Sequence, residues 1–137
     1  MSPFAHHFYE LRSRHRISQF ALAKLLGCSQ GLLSSLELGK KLPTDEFLEK
    51  LTQVLKLNIS ESDALRQSAK ESQRRYALAE NATREQFQLV YNLWSKLDQL
   101  QPGQMRMIGE VLNFQPGLSE KTAQDQTTLR IKQGGHM

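Results

Sequence analysis

Apolar residues along the chain recur at three- and four-residue steps in short bursts divided by turn signals, the pattern of a succession of short amphipathic helices. Phe4, Phe8 and Leu11 share one face and predict a helix over about Pro3–His15, with Ser2 as its N-cap and Pro3 at the first helical position. A basic run, Arg12-Ser13-Arg14-His15-Arg16, follows, and Ile17 returns to the core. Ser18 caps a second helix, Gln19–Leu26, whose apolar residues are Phe20, Leu22, Ala23, Leu25 and Leu26; Ala21 is not the acid that would complete a capping box. Gly27 supplies the positive φ that ends this helix, and the Ser29 hydroxyl caps a third, Gln30–Leu38, in which Leu32, Leu33 and Leu36 continue the period. Gly39 closes it as a left-handed cap.

Beyond the basic loop Lys40-Lys41-Leu42-Pro43, Thr44 caps a fourth helix with Asp45 and Glu46 in its first turn and a buried stripe of Phe47, Leu48, Leu51, Val54 and Leu55. Ser60-x-x-Asp63 resembles a capping box opening a fifth helix that carries Leu65. Ser68–Asn81 is mixed and charged and is read as helical, with Ala69, Tyr76 and Ala77 or Leu78 as its packing side. Thr83-Arg84-Glu85-Gln86 opens a clearer helix reaching about Leu100, and Met105, Ile108, Val111 and Leu112 mark a last helix ending near Phe114. The remainder is polar, turn-rich and nearly aperiodic. These elements predict an all-α chain: a five-helix domain over 1–67, C-terminal helices over 68–114 and a flexible tail over 115–137.

Charge changes the picture more by place than by amount. The formal net charge is +4, and residues 1–58 carry eight Lys/Arg against five Asp/Glu, so the excess sits with the first helices. That balance suits an anionic partner. The single cysteine, Cys28, cannot form an internal disulfide, in agreement with a reducing compartment. With no signal peptide and no apolar run of membrane-spanning length expected, the reading is a cytoplasmic protein, bacterial or phage-encoded. Catalysis finds no candidate: Cys28 lacks a His/Asp partner, His6, His7, His15 and His136 lack metal-ligand spacing, and no phosphate loop or hydrolase motif is present. Neither cofactor nor metal is expected, and the chain is read as no enzyme.

Two short helices joined at Gly27-Cys28-Ser29 form a helix-turn-helix, and such a unit presents its second helix to DNA. With Leu33 and Leu36 turned inward, Gln30, Gly31, Leu32 and Ser35 point outward, with Ser34 at the margin. Gln30 suits a bidentate pair with adenine, Leu32 a thymine methyl, and Gly31 a close backbone approach. Leu11 to Leu65 resembles the phage-repressor (Cro/repressor, XRE-type) helix-turn-helix family, a compact bundle of five helices. The residues that carry the resemblance are Leu11-Arg12, Ile17-Ser18-Gln19, Leu22-Ala23, Leu26-Gly27, Ser29-Gln30, Leu33-Ser34, Leu36-Glu37, Gly39-Lys40, Pro43, Leu51, Leu55 and Leu57-Asn58-Ile59-Ser60. Arg16 stands where that family often has glycine, and Gly31 where it usually has a reading side chain.

The resemblance implies a regulator that binds double-stranded operator DNA as a homodimeric repressor. It implies phosphate contacts by Gln19 and by the amides near Lys40, with Ser29, Ser34, Lys41, Arg14 and Arg16 as further candidates, and an ion pair joining Arg12 to Glu37. The apolar residues Phe87, Val90, Tyr91, Trp94, Leu97, Ile108 and Val111 exceed what a helical hairpin can bury, which points to a dimer interface or to packing against the first domain. Two other readings stay open: an antitoxin-type autoregulator gripping a partner protein through its C-terminal helices, and a protein-binding adaptor without DNA readout.

Overall fold

A computed structural model describes residues 1–116; the proposed tail lies almost wholly outside the described residues. The described chain is all-helical: α1 (Pro3–Arg14), α2 (Gln19–Leu26), α3 (Gln30–Glu37), α4 (Asp45–Val54), α5 (Ile59–Glu71), α6 (Arg84–Lys96), a short 3-10 turn (Leu97–Gln99) and α7 (Pro102–Asn113). The chain divides into two compact units, Met1–Tyr76 and a second beginning at Ala77.

In the first unit α1 packs on α3 and α5, while α2 packs on α3 and α4. The core is the set that the three- and four-residue steps mark: Phe4, Phe8 and Leu11 from α1, Leu22, Ala23 and Leu26 from α2, Leu33 and Leu36 from α3, Phe47, Leu48 and Leu51 from α4, and Leu65 from α5. Phe4 stacks on Phe8 at 5.6 Å between ring centres, and Phe8 meets the edge of Phe47 at 5.8 Å. Two members of the apolar pattern in α2 do not join the core. Phe20 and Leu25 fall to either side of the face formed by Leu22, Ala23 and Leu26, and both are exposed; Lys24 lies over the Phe20 ring at 4.7 Å.

Ser2, Ser18, Ser29 and Thr44 each accept a hydrogen bond from the backbone N–H three residues on, as expected of N-caps. α1 to α4 all end in one motif, in which a residue at or just past the cap turns left-handed and the next N–H reaches back to a carbonyl five residues earlier: Ile17 to Arg12, Cys28 to Ala23, Lys40 to Ser35 and Leu57 to Thr52. Glycine holds the left-handed place after α2 and α3 (φ 71° at Gly27, 75° at Gly39), but Arg16 and Lys56 hold it after α1 and α4, each at φ 52°. A side chain there is strained, so Arg16→Gly is expected to raise the stability of the first unit by about 0.5–1 kcal/mol, measured by urea denaturation. An unchanged or lower midpoint would show that the arginine side chain compensates.

Two expectations need correction. α5 is opened by Asn58, not by Ser60: the Glu61 N–H donates to Asn58 Oδ1 (2.8 Å) and the Asn58 N–H donates to Glu61 Oε1 (3.1 Å), a reciprocal box two residues earlier than Ser60-x-x-Asp63. The left-handed turn at Lys56 leaves Asn58 already extended, and that fixes where the helix starts. Nor is Ser68–Asn81 one helix. α5 runs to Glu71, Ser72 caps it, and residues 73–81 form no helix; Tyr76 and Leu78 are exposed, while Ala69 packs against the core.

In the second unit α6 begins at the expected box: Gln86 N–H donates to Thr83 Oγ1 (3.1 Å) and Thr83 N–H to Gln86 Oε1 (2.9 Å). No residue of α6 or α7 is buried.

Candidate nucleic-acid interface

α3 is a helix of two faces. Leu33, Leu36 and Glu37 are buried against the first unit. At about 3.6 residues per turn, Gly31 and Ser35 lie opposite that face with Ser34 beside them, while Gln30, seven residues before Glu37, stands on the Glu37 side and is open because it is the first residue of the helix. Gln30 and Gly31 are exposed, and the two serines are half-buried. Leu32 stands on the flank, half-buried and packed against the core. The outward face is therefore small and polar, and Gln30, at the N-terminal end of the helix, is the one long exposed side chain beside it. A Cβ placed at Gly31 would meet only the Ser29 hydroxyl, at 3.9 Å, so nothing inside the fold requires glycine there.

Glu37 anchors this helix. Its carboxylate, in a residue only 7% exposed, accepts from Arg12 Nε (2.7 Å) and Nη2 (3.0 Å), while Arg12 Nη1 donates to the Ile17 carbonyl (3.0 Å). One guanidinium thus ties α1, the α1–α2 turn and the end of α3 together by a bidentate pair, the geometry that fixes direction as well as distance. The hydrogen bond to Glu37 raises the Arg12 pKa still further, outweighing the opposing effect of burial. Among the described residues, no buried side-chain nitrogen or oxygen is left without a partner.

Besides Ser34 on α3 itself, the phosphate-contact candidates are spread over four places. Gln19 is half-buried in the first turn of α2. Ser29 uses its hydroxyl to cap α3 and accept from the Leu32 N–H (3.1 Å), leaving its other lone pair and its proton outward. Lys40 and Lys41 project from the loop after α3, and Arg14 and Arg16 from the end of α1; all four are exposed. Sequence reasoning missed Arg74 and Arg75, which follow α5 and line the same groove as Lys40 and Lys41. Their only sequence signal was the Arg-Arg pair itself, because the neighbourhood is made by tertiary return.

Cys28, in the turn between α2 and α3, is half-buried beside the core, and burial pushes its thiol pKa up, with Lys50 opposing. A thiol held protonated is a poor nucleophile. Among the described residues no group of three or more His, Cys, Asp or Glu is placed to hold a metal ion, and no helix is long and apolar enough to cross a membrane.

The aromatic and aliphatic residues of α6 and α7 are mostly open. Phe87, Val90, Tyr91, Trp94, Leu97 and Val111 are exposed and Ile108 is half-buried. Leu89 and Leu93, also exposed, lie beside the expected stripe. At about 3.6 residues per turn, the apolar residues of α6 cover roughly 200° of its circumference, wider than one packing seam.

No curated protein and no solved structure matches the chain. The family model of the helix-turn-helix domain does, over residues 3–69. Those residues take in α1 to α4 and most of α5, the whole scaffold that buries Leu33 and Leu36 and turns Gln30 outward. Residues 3–69 thus belong to the helix-turn-helix domain family.

Proposed function

We propose that this protein is a sequence-specific DNA-binding transcriptional regulator, a homodimeric repressor that occupies operator DNA and so blocks polymerase. The observation that carries the reading is α3: a helix locked at its end by Arg12–Glu37, buried on its leucine face, and bare of bulky side chains on the other. Such a face lets the backbone approach the major groove closely, with Gln30 reaching an adenine edge and Ser35 and Ser34 short enough to meet bases or phosphates only at that depth. Gly31 adds to the close approach, and Leu32 reaches a thymine methyl only from the flank. Gln19, Ser29, Lys40, Lys41, Arg14 and Arg16 supply the phosphate contacts that set register.

Few base contacts per subunit mean weak discrimination by one copy, so a second copy and DNA shape supply the rest. The exposed faces of α6 and α7, anchored by Trp94 and Tyr91, are the surface through which two copies pair. The same wide apolar arc supports a second reading, an antitoxin-type autoregulator that grips another protein there.

Selection from a random-sequence duplex library tests both parts. The full chain is expected to enrich an inverted repeat with half-sites about 34 Å apart, or a multiple of that. Light scattering at tens of micromolar is expected to give a dimer for the wild type and a monomer for Trp94→Glu. A library that stays unenriched contradicts DNA readout, and a wild-type monomer contradicts the pairing.

A further inference from the structure

The end of α5 is held where its sequence gives no hint that it should be. The Phe4 N–H, one of the free donors at the start of α1, donates to Ser72 Oγ at 2.8 Å in a buried bond, and Ser72 Oγ donates to the Ser68 carbonyl at 2.7 Å. Residues 68 places apart in sequence are thereby fixed together. The chain leaving α5 then passes the loop that leaves α3. Between them lies a groove of about 420 Å³, lined by Ser2, Gly39, Lys40 and Lys41 on one side and by Arg74 and Arg75 on the other. The approach is close: a Cβ at Gly39 would stand 3.5 Å from Ser2 Oγ and 3.8 Å from Arg74 Nη2.

Four cations line this groove and no carboxylate does. The ion pairs of the described residues involve other groups, His6 with Glu10, Arg12 with Glu37 and Arg66 with Glu49. Like charges gathered without a partner repel one another, and an anion placed among them relieves that repulsion. The place is also informative. Lys40 and Lys41 follow α3 after its cap Leu38 and the left-handed Gly39, so the groove lies at the C-terminal end of α3, a helix that spans about 10 Å from Gln30 to Glu37 at about 1.5 Å per residue. That is a fraction of one DNA turn.

We propose that Arg74 and Arg75 join Lys40 and Lys41 in a phosphate clamp that holds the DNA backbone flanking the bases met by α3. The proposal rests on the reading of α3 as the DNA-facing helix. Guanidinium groups are suited to the task because their planar fork pairs with two phosphate oxygens at once. The clamp carries no sequence information; it adds affinity and fixes register.

Fluorescence anisotropy with the full chain tests it, using the duplex enriched from the library and a scrambled duplex of the same composition across a salt series. For Arg74→Gln/Arg75→Gln the plot of log affinity against log salt is expected to flatten by about two units per bound subunit. Affinity for both duplexes should fall in the same proportion. Arg74→Lys/Arg75→Lys should keep the wild-type slope, and matching thermal melts of all three proteins would exclude misfolding as the cause. An unchanged slope in the glutamine variant overturns the clamp while leaving the α3 reading intact, provided the wild type binds its duplex. A wild type that binds neither duplex overturns the α3 reading and the clamp with it. Inorganic pyrophosphate is the other arm: if it raises the melting temperature of the wild type but not of the glutamine variant, and the DNA slope is unchanged, the groove belongs to a free anion and the clamp is wrong.

Discussion

Glu37→Ala is expected to cost about 3–5 kcal/mol of folding free energy, because it strands the Arg12 guanidinium in a mostly buried site without its carboxylate. For a unit of this size that corresponds to a fall in melting temperature of more than about 10 °C. Glu46→Ala is the control: Glu46 is exposed in the first turn of α4, where its favourable interaction with the helix dipole is worth about 0.3–1 kcal/mol. Equal effects of the two substitutions would argue against the pair as the lock on α3. A further comparison separates a broken pair from lost volume. Replacing both partners together with apolar residues, Arg12→Met with Glu37→Leu, should cost less than Glu37→Ala alone, since no charge is then left buried. The double variant should still bind DNA less well, because the direction of α3 would be set by packing only.

The core of the first unit was legible in the sequence because helical periodicity reports burial directly. Leu22, Leu26, Leu33, Leu36, Leu48, Leu51 and Leu65 stand at three- and four-residue steps, and all are buried. Caps were legible for the same local reason: Ser2, Ser18, Ser29, Thr44 and the Thr83–Gln86 box need only their own helix. The start of α5 was misread because Asn58-x-x-Glu61 and Ser60-x-x-Asp63 offer the same spacing two residues apart. The choice between them is made by the left-handed Lys56, a conformation that its side chain does not announce. Phe20 and Leu25 look like core in a linear pattern, yet α2 has only one face to bury and Leu22, Ala23 and Leu26 fill it.

The candidate site divides along the same line. Gly31 and Ser35 on the outward face follow from helical geometry, Gln30 is open because it starts the helix, and the Arg12–Glu37 pair follows from family resemblance and is present with both bonds formed. Leu32 shows the limit of that reasoning, since a residue on the flank turns outward or inward according to how α3 is rolled against its neighbours. The groove of Arg74 and Arg75 was not legible at all. It depends on Ser72 reaching the backbone of Phe4, a contact between distant parts of the chain that neither composition nor spacing encodes.

Direct readout by α3 is the central claim, and a single pair of binding curves tests it. Gln30→Ala/Ser35→Ala changes no core residue and no partner of the Arg12–Glu37 pair, so the variant should fold as the wild type does. A good bidentate base contact is worth about 1–3 kcal/mol. The variant is therefore expected to lose roughly 10- to 100-fold in affinity for the duplex enriched by the wild type. Its binding to scrambled DNA and its salt slope should stay where they were, because the phosphate contacts remain. Wild type and variant binding the enriched duplex with equal affinity would contradict readout by α3.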